Sequence, residues 1–211
     1  MGRSWFPFPK FRTLEKVTQS IMIPLESENT YHIFNRANGK EKLFLDQDNY
    51  EFFLIRYADF IVPIADTLCF CLMPNHFHLL LRIKSLVALQ TFTKSNGDND
   101  KMGKFVSKQF SNLFSSYTQA FNKQQGRMGS LFMKNFKRKH VTDSKYLQKL
   151  VHYIHRNPVE AGLCSKPGDW KFSSYLSILK EEKSFIQNKE ILEYYGGKEN
   201  FEYCHNQLEE L

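Results

Sequence analysis

Two short apolar segments joined by a tight break constrain the fold of this chain more than any other feature. Residues Thr67 to Leu72 form a continuous apolar run of strand length, and a second strand-like run extends from His76 to Ile83. Only Pro74-Asn75 breaks the sequence between them. Because a connection this short joins antiparallel neighbours, the two runs predict a β-hairpin.

The second strand of this hairpin begins with His76-Phe77-His78. Side chains on a strand alternate between its two faces, so His76 and His78 project from one face and Phe77 from the other. Two imidazoles on one face can chelate a divalent metal such as Mg²⁺ or Mn²⁺ if oxygen donors complete the site. The alternative is that they are two ordinary sheet histidines.

The segments on either side of the hairpin favour a small α+β domain. Tyr31 to Arg36 has strand composition and is stopped by Asn38-Gly39, and helical spacing follows from Asp46, a suitable N-cap, to Phe60. Downstream we expect a long helix ending before Gly126, a basic strand from Ser130 to Val141, and a third helix that starts at Asp143 or Ser144 and ends at Asn157-Pro158. This order predicts a ferredoxin-like antiparallel sheet with packed helices.

Composition adds bounds on size, partner and compartment. The 211 residues suit a folded domain over about 26–180, with an N-terminal arm (1–25) and a C-terminal extension (181–211). The formal net charge of +7 favours a polyanionic partner. The four cysteines form no CxxC pair, and no segment is apolar enough for a membrane span or a signal peptide. We therefore expect reduced thiols, a cytoplasmic protein and no membrane partner.

Tyr117 lies at the centre of the apolar stripe of the long helix, between Val106 and Phe121. If that stripe packs on the face bearing the histidines, its phenol points toward the metal site. A phenol beside a metal-bound phosphodiester can attack phosphorus and form a phosphotyrosine. The alternative is a core tyrosine whose hydroxyl reaches the edge of the core.

Basic residues supply candidate contacts to nucleic acid. In the predicted basic strand, cations interleave with Phe132 and Phe136, a combination that suits backbone neutralisation and base stacking. A solvated edge strand is the alternative. Arg36 and Arg82 are candidates for steadying the charge of a scissile phosphate, or for surface ion pairs. The cations of the strand are Lys134, Lys137, Arg138 and Lys139.

Taken together, these motifs resemble the single-tyrosine HUH transposases, and most closely the REP-associated tyrosine transposases related to the insertion-sequence 200/605 enzymes. The resemblance spans roughly Tyr31 to Tyr175 and includes the segment from Tyr153 to Leu163. It implies a ferredoxin-like fold of the HUH endonuclease type, a Mg²⁺ or Mn²⁺ cofactor and hairpin-containing single-stranded DNA, either REP-like or from the ends of a mobile element. It also implies that Tyr117 is the nucleophile, cleaving DNA to a 5′-phosphotyrosine and a free 3′ hydroxyl.

The resemblance also implies a third metal ligand, a Gln, Asn or Glu that often lies one helical turn beyond the tyrosine. Four residues after Tyr117 stands Phe121, which cannot ligate. Asn122 is the nearest residue that could replace it as a ligand. The alternative is that Asn122 has a structural role at the C-terminus of the helix. For His155, Arg156 and Asn157 we expect a structural role at the end of the third helix, with a hairpin contact as the alternative.

Two other function classes remain open at this stage. One is a non-catalytic nucleic-acid-binding module, because the same fold supports RNA recognition. The other is a metal-dependent phosphodiesterase that uses water. The sequence also leaves open whether the protein is a monomer or a homodimer.

Overall fold

The computed structural model describes residues 23–207, so most of the predicted N-terminal arm and the last four residues of the predicted extension lie outside the described part. Within it, four strands form one sheet, with helices between and after them. The strands are β1 (Thr30–Arg36), β2 (Ala65–Met73), β3 (His76–Ile83) and β4 (Lys137–Val141). The helices are α1 (Gln47–Phe60), α2 (Leu86–Thr93), α3 (Asn99–Gln125), α4 (Ser144–Glu160), α5 (Tyr175–Leu179), α6 (Asn188–Tyr195) and α7 (Lys198–Asn206).

The sheet has the strand order β2-β3-β1-β4, and all neighbouring strands are antiparallel. Strand β3 lies between β1 and β2, so the chain crosses over β3 through α1 before it returns as the β2-β3 hairpin. This is the split βαβ arrangement of ferredoxin-like folds. The predicted α+β fold class and the predicted hairpin are both confirmed.

The two faces of the sheet carry different layers. Helices α1 and α3 cover one face, where Phe77 contacts Phe53 and Phe114 with ring centroids 5.6 Å apart in both pairs. The other face, which we call the histidine face, carries His76 and His78 of β3 and the residues opposite them on β1. Helix α4 lies over this second face. The sequence therefore builds a three-layer domain, and its two faces have separate environments.

The boundaries of most predicted elements agree with the structure. Asp46 accepts a hydrogen bond from the backbone N–H of Asn49 and so caps α1 as expected. The predicted basic strand from Ser130 to Val141 is too long, because Asn135 adopts a left-handed conformation and only the last five residues form β4. Before that break, Phe132 makes only an isolated bridge to Ala37.

Helix α4 begins where the sequence predicts but ends later. Asp143 accepts hydrogen bonds from the N–H groups of Lys145 and Tyr146, which makes it the N-cap. The predicted stop at Asn157-Pro158 is wrong, since α4 continues to Glu160 with Pro158 in its last turn. Asn157 therefore lies within α4 and not at its end.

The segments after α4 pack on α4 and along the free edge of β2. Trp170 donates its indole N–H to the carbonyl of Leu72 at 3.0 Å, and Ser173 forms a bridge with Cys71. These contacts cover an edge that would otherwise present unpaired backbone groups. Among residues 23–207, no helix is long and apolar enough to cross a membrane.

A buried histidine chain joins α4 to α7. His155 contacts the hydroxyl of Ser174 through Nε2 (2.8 Å) and His205 Nε2 through Nδ1 (3.0 Å), and His205 Nδ1 contacts the carbonyl of Phe201 (2.8 Å). Every partner is satisfied when both rings are neutral: Ser174 donates to His155, His155 donates to His205, and His205 donates to Phe201. Both histidines are fully buried. Burial of both rings disfavours the addition of a proton to either one.

We expect the stability of the protein to fall as the pH drops below about 6.5. Burial lowers the pKa of His205 to about 3 and that of His155 well below its ordinary value. The unfolded chain therefore binds more protons than the folded one, and stability falls by about 1.4 kcal/mol per pH unit for each histidine that stays neutral. Thermal unfolding between pH 7 and pH 5 measures this effect. His205→Gln should flatten the dependence, and an equally steep curve in that variant would contradict the assignment.

Candidate active site on the histidine face

The two predicted metal ligands lie side by side at the start of β3. The rings of His76 and His78 stand 5.1 Å apart, centroid to centroid, and they project from the same face. His78 is buried and His76 is half-buried. Burial lowers the pKa of both rings, so both are neutral and able to offer a lone pair at neutral pH. His78 Nε2 has no hydrogen-bond partner among the described residues, so its position suits a metal ligand.

A third histidine, which was not predicted from the sequence, forms a hydrogen bond with the Nδ1 side of the His78 ring. His32 on β1 contacts His78 Nδ1 through its own Nε2 at 2.9 Å, and both rings are buried. The tautomer of His78 that leaves a lone pair on Nε2 carries its proton on Nδ1 and donates it to His32. Metal-binding histidines commonly donate the distal N–H to an acceptor in this way, which fixes the ring orientation.

Asn157 of α4 brings an oxygen to the histidine pair. Its Oδ1 lies 3.2 Å from His76 Nε2, while His76 Nδ1 contacts Asn75 Oδ1 at 2.7 Å. A neutral ring has one proton, and donation to Asn75 leaves a lone pair on Nε2 that faces the Asn157 oxygen. Two ligands about 2.1 Å from one cation and at right angles to each other stand about 3 Å apart. The contact therefore fits two ligands of a shared metal ion.

Tyr153 lies one helical turn before Asn157, on the same side of α4. Its ring centroid is 5.5 Å from that of His78, with the two planes nearly perpendicular, and the residue is half-buried. Burial raises the pKa of the phenol, and a hydrogen bond with the Asn157 side chain opposes that rise. A partly accessible phenol thus stands against the histidine pair.

Tyr117, the nucleophile predicted from the sequence, lies on the opposite face of the sheet. It packs among the aromatic side chains between α1 and α3, with its ring centroid 5.3 Å from that of Phe53. Its side chain is 1% exposed, and its hydroxyl donates a 2.5 Å hydrogen bond to the carbonyl of Leu43. The expectation that the stripe of α3 packs against the histidines is wrong, because α3 covers Phe77 instead. Tyr117 is the core tyrosine of the alternative interpretation.

Asn122, the predicted third ligand, is also remote from the histidines. Its Nδ2 donates to the carbonyl of Gly129 at 2.9 Å, and its Oδ1 accepts a 2.6 Å hydrogen bond from Arg127. Arg127 in turn pairs with Glu41. Asn122 therefore organises the C-terminal end of α3, which is the structural role left open by the sequence, and its oxygen is already engaged.

Of the cations predicted to bind DNA, two contact other groups of the protein and four are exposed. Arg138 points to the α3 side, where it is buried, lies over the ring of Phe136 at 4.4 Å and bonds Ser107, so the prediction of a DNA contact is wrong for this residue. Arg82 lies on the histidine face but makes a bidentate ion pair with Glu190. The side chains of Arg36, Lys134, Lys137 and Lys139 are exposed.

The predicted stacking aromatics of the basic segment do not face DNA. Phe132 is buried and its ring lies 4.9 Å from that of Phe114, and Phe136 packs on Phe110 at 5.1 Å. Both side chains therefore belong to the core beneath α3. On the sheet itself, Phe34 of β1, opposite His78, is a half-buried aromatic side chain of the histidine face.

A feature of the sequence could have identified Tyr153 and Asn157. The tyrosine and the amide are four residues apart, the spacing that the family resemblance often implies for the nucleophile and the third ligand and that Tyr117 and Phe121 fail to provide. Among residues 23–207, no group of three or more His, Cys, Asp or Glu side chains is arranged to hold a metal ion. The candidate site therefore depends on the amide oxygen of Asn157.

Known proteins resemble this chain in sequence and in fold. No family model matches the chain. A Haemophilus influenzae protein assigned by name to the REP-associated tyrosine transposases is 28% identical over 120 residues, which cover 56% of this chain and 62% of that protein. The solved structure of a REP-associated tyrosine transposase bound to a REP hairpin matches with a TM-score of 0.54 and 16% identity, over 77% of this chain and 86% of that one.

The chain is similar to REP-associated tyrosine transposases in sequence and in fold. The structural match confirms the fold, and both matches agree with the resemblance drawn from the sequence motifs. The aligned region spans less than two thirds of the Haemophilus influenzae transposase.

Proposed function

We propose that this protein is a metal-dependent single-strand DNA nickase and strand transferase of the REP-associated tyrosine transposase type, with Tyr153 as its nucleophile. The observation that carries the proposal is the joint position of Tyr153 and Asn157, one helical turn apart on α4 and both against the histidine pair. His76, His78 and Asn157 would hold a Mg²⁺ or Mn²⁺ ion. A bound cation of this kind would polarise the scissile phosphate.

The residues of the chain then have distinct tasks. The phenolic oxygen of Tyr153 attacks phosphorus and loses its proton, while the bond from phosphorus to the 3′ oxygen breaks and that oxygen leaves as a hydroxyl. The product is a 5′-phosphotyrosine that conserves the energy of the phosphodiester for rejoining. Asn157 contacts His76 and lies one helical turn from the nucleophile, so α4 holds the two in a fixed relation. His32 keeps His78 in the ligating orientation.

The substrate we propose is single-stranded DNA next to a hairpin. The matched structure is described as a REP-associated tyrosine transposase bound to a REP hairpin, and this chain carries a net charge of +7 for a polyanionic ligand. Arg36, Lys137 and Lys139 of this face and Lys134 near it are the free cations we assign to DNA. Residues 26–180 form the catalytic domain of this proposal, and 181–211 its C-terminal extension. A cytoplasmic location and the option of a homodimer stay predictions.

Incubation with hairpin-containing single-stranded DNA and Mn²⁺ tests the proposal. The full-length protein should form a covalent protein–DNA adduct that survives denaturing electrophoresis and releases a free 3′ hydroxyl strand. Chelation of the metal with EDTA should prevent the adduct, because neutral histidines and an amide cannot neutralise the developing phosphate charge. A DNA of the same composition without a hairpin serves as the control.

The other two function classes give different results in the same assay. A metal-dependent phosphodiesterase that uses water would cut the DNA without an adduct and would tolerate the loss of Tyr153. A binding module would retain DNA without cutting it, and neither histidine would matter. Cleavage without an adduct, or binding without cleavage, would overturn the proposal.

A further inference from the structure

The part of the histidine face beside the candidate active site carries one half-buried aromatic side chain. On β1, Tyr31 and Ile33 point to the core and are fully buried, whereas Phe34 is half-buried on the histidine face. The backbone of Phe34 pairs with His78 on one side and with Lys137 on the other. Phe34 thus lies on the same rung of the sheet as a candidate metal ligand and an exposed cation.

Phe34 belongs to the histidine cluster as well as to the surface. Its ring centroid is 4.8 Å from that of His32 and 5.8 Å from that of His78. The ring therefore contacts the buried imidazoles, and part of the side chain remains exposed to solvent. An aromatic ring at the surface beside a reacting phosphate offers a π-face to a nucleobase.

The cations around Phe34 suit the phosphates of the same strand. Arg36 follows two residues later on the same face, and Lys137 and Lys139 project from β4 beside it. The ion pairs formed among residues 23–207 use none of the three. Across the β1–β4 pair, Lys137 lies opposite Phe34 and Lys139 lies opposite His32. Unpaired cations around one half-buried ring match a nucleotide, which carries a base and a negative phosphate.

We propose that Phe34 is a stacking platform for the nucleobase next to the scissile phosphate, with Lys137, Lys139 and Arg36 binding the flanking backbone of single-stranded DNA. This assignment rests on the proposed function for its location and adds to it the residues that seat the single strand. The ring accepts any base, because each base has a π-face, so the platform positions the strand without reading its sequence.

The test measures binding of a single-stranded DNA of about twelve nucleotides, without a hairpin and with one 2-aminopurine, a length that covers a typical single-strand site. The Tyr153→Phe background and EDTA keep the DNA intact. Phe34→Leu should weaken binding about tenfold and remove the quenching of the stacked 2-aminopurine, whereas Phe34→Tyr should retain both. Phe92→Leu is the matched control, because Phe92 is 50% exposed on α2, outside the proposed platform.

The salt dependence of binding separates stacking from charge. The logarithm of the affinity falls linearly with the logarithm of the salt concentration. Lys137→Ala should make this slope less steep by about 0.7, the value for one phosphate contact on a single strand. Phe34→Leu should leave the slope unchanged. Lys108→Ala, an exposed lysine of α3, is the control. Equal affinity and quenching for Phe34→Leu, Phe34→Tyr and wild type would overturn the platform.

Covalent adduct formation by the wild-type protein is scored separately on hairpin DNA. Adduct formation together with unchanged binding by Phe34→Leu would refute the platform and leave the proposed function standing. Weakened binding by Phe34→Leu without any wild-type adduct would support the platform and refute the nickase. Thermal denaturation shows whether Phe34→Leu is folded. If it is unfolded, Phe34→Tyr and Lys137→Ala are compared with the wild type instead. An unchanged salt slope in Lys137→Ala would then contradict the assignment.

Discussion

Tyr153→Phe is expected to abolish the covalent protein–DNA adduct, whereas Tyr117→Phe is expected to form it at the wild-type rate. The first change removes the phenolic oxygen that stands against the histidine pair, and loss of a nucleophile lowers such rates by about a thousandfold or more. Phenylalanine keeps the ring that contacts His78, so the fold and DNA binding should persist. Adduct yield on denaturing gels measures the effect, with hairpin binding as the control for folding.

The matched variant, Tyr117→Phe, should change stability rather than chemistry. It leaves the buried carbonyl of Leu43 without the hydrogen bond that the phenol donates, a loss of about 1–3 kcal/mol. For a domain of this size that lowers the melting temperature by about 2–4 °C per kcal/mol. An adduct lost in Tyr117→Phe well below its melting temperature, and retained in Tyr153→Phe, would reverse our assignment.

Asn157→Ala is expected to weaken Mn²⁺ binding by about a hundredfold, and with it adduct formation. Groups that merely orient metal ligands already contribute tenfold to a hundredfold in affinity, and Asn157 is placed as a ligand itself, 3.2 Å from His76 Nε2. Electron paramagnetic resonance of free Mn²⁺ during titration of the protein measures the affinity without DNA or turnover.

The control for this substitution is Asn122→Ala, which changes the asparagine predicted as a ligand from the sequence. Its oxygen is held by Arg127 and its amide by Gly129, so the variant should lose stability and keep its Mn²⁺ affinity. Equal Mn²⁺ affinity in Asn157→Ala and wild type would remove Asn157 from the metal site. Loss of affinity in Asn122→Ala alone would restore the original prediction.

The fold could be predicted from local patterns because those patterns repeat with a known period. The alternation around His76 and His78 placed both imidazoles on one face, and Pro74-Asn75 fixed the hairpin and its register with β2. The N-caps Asp46 and Asp143 were readable in the same way. Each of these features depends on residues within one element or two neighbouring ones.

The choice of nucleophile could not be made from periodicity alone. The stripe of α3 shows that Tyr117 is buried, but not which face of the sheet buries it. Because β1-α1-β2 and β3-α3-β4 place their helices on one face, Phe77 meets α3, and α4 is the helix that crosses the histidines. The spacing of Tyr153 and Asn157 was the local signal that distinguishes the two helices.

The sequence could not show which residues around β4 face the solvent, for a related reason. Cations and aromatics interleave in the segment around β4, but consecutive residues of a strand point to opposite faces. Arg138 and Phe136 therefore join the α3 layer, while Lys137 and Lys139 join Phe34 on the histidine face. A composition pattern along one strand cannot assign its members to a surface until the neighbouring layers are known.

Peptide mapping of the covalent adduct tests the central claim most directly. Cleavage after Lys and Arg releases Tyr153 in the peptide Leu150 to Arg156 and Tyr117 in the peptide Gln109 to Lys123, and each peptide holds a single tyrosine. Mass spectrometry of the adduct after nuclease digestion should find the nucleotide on the peptide that contains Tyr153. A nucleotide on the Tyr117 peptide, or on neither, would contradict the account.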